Sequence, residues 1–204
     1  LSMSGYHLWG GGNTVNGTVF NLNLTGGTFQ ANQFTRLAAS ANTQVNITIG
    51  GTADVTLPAL PTSRDSGFGP VSNWFVNLIF DGGVLRPLAA SSTYISGITT
   101  AYIKSGGATL DVATGKDITI SQALLAHPSS SGGGLTKNGT GTLTLSGNNT
   151  YTGTTTVNAG TLSITGLTNQ LASASVAGTG NVALNGGSLT VNNSSSSSSL
   201  YLGN

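Results

Sequence analysis

The feature that most constrains this chain is a recurring corner. A short run of alternating apolar and polar residues ends in a glycine pair, and a second alternating run follows at once. Leu24-Thr25-Gly26-Gly27-Thr28-Phe29, Ile49-Gly50-Gly51-Thr52 and Phe80-Asp81-Gly82-Gly83-Val84-Leu85 have this form. So do Lys104-Ser105-Gly106-Gly107-Ala108-Thr109-Leu110 and Leu184-Asn185-Gly186-Gly187-Ser188-Leu189. The second glycine falls at 27, 51, 83, 107 and 187. The first three spacings, 24, 32 and 24, belong to structural repeats that stack. Glycine permits positive φ at a tight corner, where a Cβ would clash. A unit so short cannot bury its apolar side alone, whereas stacked units bury a continuous column.

The runs themselves read as strands. Phe20, Leu22 and Leu24 alternate with Asn21 and Asn23, and Val45, Ile47 and Ile49 alternate with Asn46 and Thr48. Period two is the spacing of a half-buried strand. The outward positions are Asn, Thr and Ser, which can hydrogen-bond in ladders between rungs ~4.8 Å apart, where like charges would repel. Gly-Gly turns also suit an antiparallel sandwich of hairpins. The similar corners, the sparse charge and the neutral outward faces favour a solenoid. The expectation is an all-β fold, a right-handed parallel β-helix with short loop insertions, forming a single unit over 1–204.

Composition narrows the field further. Of 204 residues, 31 are Gly, and Gly, Thr, Ser and Asn together make up about half. Charged residues are 5% of the chain, there is no Glu, and Cys is absent. Scarce helix formers argue against a bundle, a net charge of +1 gives no field for nucleic acid, and thiolate or disulfide chemistry is excluded. No apolar run is long enough for a membrane-spanning helix. No basic segment followed by an apolar stretch opens the sequence, and the chain reads as a processed product or a piece of something longer.

Residues 133–166 are the most specific stretch. Gly134-Leu135-Thr136-Lys137-Asn138-Gly139-Thr140-Gly141-Thr142-Leu143-Thr144-Leu145-Ser146-Gly147 continues through Asn149, Tyr151, Gly153, Thr155, Val157, Gly160 and Leu162. This spacing resembles the passenger-associated repeat of bacterial autotransporters, with Thr154 where a common variant has glycine. The resemblance implies export across an outer membrane, a β-helical passenger and a mostly scaffolding role. On the residues alone, Leu143 and Leu162 stand one coil apart, the Asn148-Asn149 pair makes a corner, and Tyr151 pins it. The segment at Leu78–Asp111 resembles the spacer that precedes this repeat.

Candidate chemistry is thin. His7 and His127 lie in no metal-binding spacing, and the five Asp (54, 65, 81, 111 and 117) are scattered without a basic cluster beside them. Glycoside hydrolysis needs two convergent carboxylates, and Ser chemistry needs a base and an orienting group. The reading is therefore non-enzymatic, with no metal and no cofactor. A Pro-rich stretch at 57–73, with Arg64, Asp65 and Phe68, reads as a loop insertion and a possible binding loop; Trp74-Phe75 then anchors the chain back into the column. Tyr6 and Trp9 are candidate interface aromatics at an end.

Together these readings point to an extracellular or cell-surface structural module: a β-helical stalk, adhesin shaft or fibre-forming segment of a secreted bacterial surface protein. Its expected partners are copies of itself or neighbouring repeats, and surface glycans, with no nucleic acid and no membrane span. A carbohydrate-binding or polysaccharide-cleaving β-helix is the alternative.

Overall fold

A computed structural model describes residues 2–3, 19–32, 44–60, 75–130, 132–166 and 177–192. Within them the chain is all strand and turn, and every pairing between strands is parallel. That decides between the two sequence readings, because a hairpin sandwich would pair its neighbours antiparallel. The chain is a parallel β-solenoid.

The strands form three files. The first contains β2 (Val19–Leu24), the leading halves of β4 (Gln44–Leu57) and β5 (Phe75–Pro87), β7 (Thr100–Ile103) and β10 (Leu124–Ala126). The second contains β1 (Ser2–Met3), β3 (Thr28–Ala31), the trailing halves of β4 and β5, then β8 (Ala108–Asp111), β11 (Leu135–Asn138), β13 (Thr155–Val157) and β15 (Val182–Leu184). β6 (Ser91–Ile95), β9 (Ile118–Ile120), β12 (Thr142–Leu145), β14 (Thr161–Ile164) and β16 (Ser188–Val191) make the third, a separate five-stranded sheet. The first two files merge because β4 and β5 run unbroken through their corners, bending at Gly51 (φ 56°) and Gly83 (φ 63°).

Alternation sets what faces inward. Val45, Ile47 and Ile49 stack on Val76, Leu78 and Phe80, and all six are buried. In the second file Phe29, Val55, Leu85 and Leu110 form one interior row. Each fully buried Leu or Val contributes about 1.5–3 kcal/mol of hydrophobic stabilisation. The rungs tolerate unequal lengths. Stacked Asn residues are separated by 25, 31, 20 and 27 positions at different levels, and the register of inward residues is kept each time.

One local expectation changes. Phe75 does not anchor the chain in the column. It is 40% exposed, because the alternation of β5 turns its neighbour Val76 inward. Trp74 lies outside the described residues, as do Tyr6, His7, Trp9, Arg64, Asp65 and Phe68. Of the stretch at 57–73, Leu57 and Leu60 are buried, and the Leu60 N–H donates to the Tyr94 carbonyl at 2.8 Å.

Candidate functional site: the interior of residues 134–162

The motif builds two successive levels of the solenoid in the second and third files, β11–β12 and β13–β14. β11 stacks between β8 and β13 in the second file, and β12 stacks between β9 and β14 in the third. Leu143 pairs with Leu162 and Leu145 with Ile164, so the one-coil spacing read from the sequence is the actual register. Leu135, Leu143, Leu145, Val157 and Leu162 are all fully buried.

The motif glycines share one cause. At Gly134, Gly139, Gly141, Gly147, Gly153 and Gly160 a Cβ would collide with backbone atoms of an adjacent level. Gly139 and Gly160 also have φ of 74° and 65°. The others are required by close approach alone, which no single-chain turn rule would reveal.

Lys137 is the least expected member. It belongs to the inward row, in register with Leu110 on one side and Val157 on the other, and its side chain is fully buried. The stem continues the apolar row. The ammonium reaches the corner and donates to the carbonyl oxygens of Asn138 (2.9 Å), Gly139 (2.7 Å) and Ala159 (3.2 Å). A lysine has three donors, and three acceptors meet them. Burial lowers the Lys137 ammonium from 10.5 to about 8, and the negative charge of Asp117 opposes part of that shift. The sequence holds a signal for this position. In Leu135-Thr136-Lys137 the lysine has the parity of the inward leucine.

Two further polar residues work inside. The Asn149 side chain is buried and its Oδ1 accepts the Leu124 N–H at 2.7 Å. Asn149 thus contributes a side-chain acceptor that bridges two levels. Tyr151 is fully buried beside it. Thr155 donates its only hydroxyl hydrogen to the Ala177 carbonyl (2.7 Å), so the 2.6 Å contact between Tyr151 and Thr155 is a bond donated by the phenol. Burial pushes the Tyr151 phenol up. The ring lies where a Cβ on Gly178 would stand. Tyr151 therefore does pin a corner, and it pins the following level as well.

The charges are less scattered than the sequence suggests. Arg86 Nε donates to Asp54 Oδ1 at 2.7 Å and its Nη1 pairs with Asp111, joining three successive levels along one outward edge. The same edge continues through Asn138, Asn158 and Asn185, whose amides bond in sequence at 2.8 and 3.2 Å. Residues 25 to 32 apart in sequence are neighbours here, which is why inspection of the chain missed the pairing. Asp81 lies 3.7 Å from Lys104, and Asp117 Oδ1 accepts the Thr142 N–H at 2.7 Å. All four described carboxylates thus hold the stack together. Among the described residues no three His or Asp side chains converge as a metal site.

These two levels are the part of the chain that comparison recognises. Residues 135–164 match the family model of the passenger-associated-transport-repeat. No curated protein and no solved structure matches the chain. The matched span covers β11 to β14, so it comprises two successive levels, β11–β12 and β13–β14, with Lys137, Asn149 and Tyr151 in the interior. A solenoid carrying that repeat fits a β-helical passenger module.

Proposed function

We propose that the chain is a non-catalytic structural segment of a secreted, surface-exposed bacterial passenger, serving as a stalk, adhesin shaft or fibre-forming unit. The observation that carries this reading is the passenger-associated repeat seated as two successive levels of a continuous solenoid. Its mechanism is mechanical. Parallel ladders tie each level to the next, and a closed apolar column excludes water from them. Unfolding from one end breaks one level at a time, each held by neighbour contacts.

Carboxylates committed to Arg86, Lys104 and the Thr142 amide support the non-catalytic part of the reading. The test is antibody labelling of residues 133–166 on intact secreting cells, followed by external protease. Surface labelling with a protease-resistant core is the expected result, and signal confined to the cell interior would overturn it. For the fibre version, electron microscopy of concentrated protein should show filaments; monodisperse monomers would remove it.

A further inference from the structure

The outward side of the first file holds two rows in register. One is Asn21, Asn46, Asn77 and Thr100, and the other is Asn23, Thr48, Ile79 and Tyr102. In the first row Asn46 Nδ2 donates to Asn21 Oδ1 at 2.7 Å, Asn77 Nδ2 to Asn46 Oδ1 at 2.9 Å, and Thr100 Oγ1 to Asn77 Oδ1 at 2.7 Å. Gln44 Nε2 also donates to Asn46 Oδ1, at 2.9 Å, which fills that oxygen. Asn46 and Asn77 each keep a second amide hydrogen that the ladder does not use. The row is a rigid series of donors, locked by its own bonds.

The second row turns apolar beside it. Ile79 and Tyr102 lie side by side, and the Tyr102 ring meets the His127 ring edge-on, centroids 5.3 Å apart at 73°. His127 is itself held, with Nδ1 3.3 Å from the Ser129 N and 3.2 Å from its Oγ. Both rows and His127 line one shallow depression, and no Asp, Lys or Arg contributes to it.

Fixed donors beside a positioned aromatic, with no charge, suit a ligand that brings hydroxyl acceptors and an apolar ring face. We propose that this depression binds a neutral oligosaccharide, with hydroxyls on the Asn46 and Asn77 amides and a sugar ring against Tyr102. Anionic polymers would find no cation here. The inference stands apart from the passenger reading, since a structural stalk and a different scaffold could equally carry such a face.

The experiment is calorimetric titration of the whole chain with cellohexaose, maltohexaose and chitohexaose, with an oligogalacturonate hexamer as the charged control. Saturable binding of at least one neutral hexamer is expected, little changed by salt, and weakened about tenfold or more, roughly 1.4 kcal/mol, in Tyr102→Ala. Asn158→Ala, on the other amide ladder, should bind as the parent does. Should Tyr102→Ala fail to fold, His127→Ala should show the same loss. Absence of binding to all three neutral hexamers at about 10 mM overturns the proposal. So does tighter binding of the charged control, full retention in the folded variants, or a sedimentation result in which Tyr102→Ala merely dissociates a dimer.

Discussion

The Nζ of Lys137 lies 2.7 Å from the carbonyl oxygen of Gly139, at the end of an interior row whose neighbouring members are Leu110 and Val157. A buried ammonium is costly unless fully bonded. Here three carbonyls at two adjacent corners supply the bonds, so one side chain joins the corner after β11 to the corner after β13. The passenger-associated repeat thereby carries its own clamp between levels.

Removing the clamp should be costly. Lys137→Ala leaves a cavity and uncaps inward carbonyls, and we expect a loss of about 3 kcal/mol. Lys137→Met keeps the stem and should lose roughly 1 kcal/mol less. Urea unfolding of both variants measures the difference; equal and negligible losses would refute the clamp.

The same residue makes stability depend on pH. Its folded value of about 8 lies below the ordinary 10.5, so the folded state gives up the proton first and the unfolded state binds more protons between those values. Stability should therefore rise from pH 8 toward 10.5 and lose that gain as pH falls through 8. Tyr94 and Tyr151 act oppositely, since burial raises both phenols and stability falls once unfolded tyrosine ionises above about pH 10. The urea midpoint should increase between pH 7.5 and about 9.5, and Lys137→Met should abolish that increase.

Asn149→Ala strips the Leu124 N–H of its buried acceptor. The expected loss is about 1–3 kcal/mol. Hydrogen exchange at the Leu124 amide should quicken in the variant, and an unchanged rate would show that another acceptor takes over.

Gly178→Ala would place a methyl group in the Tyr151 ring at a φ of 78°. We expect about 3 kcal/mol of destabilisation, felt first in β15 and β16. Limited proteolysis should cut near 177–192 well before the rest. Tyr151→Phe, which loses only the bond to Thr155, should cost about 1 kcal/mol.

Arg86→Met breaks the contacts to Asp54 and Asp111, yet the partners are 40%, 42% and 23% exposed. Solvent screens such pairs, so the loss should stay under about 1 kcal/mol and shrink in high salt. A loss matching that of Lys137→Ala would mean the charged edge matters more than the interior clamp.

What the sequence determined by itself was the architecture. Period-two alternation and glycine corners dictate strands that turn and stack, and the 134–162 spacing identified the two levels that comparison recognises. The Asn after an inward residue, at Phe20-Asn21 and Val45-Asn46, was legible too, although its ladder, which runs on to Asn77, needed the register to be seen. Only the tertiary structure decided which distant residues became neighbours. Arg86 meets Asp54 and Asp111, and Lys137 meets Ala159, because unequal coils bring those levels together. Local preference sets a strand and a corner residue by residue. Contact between levels depends on the summed length of every intervening turn, which no local pattern encodes.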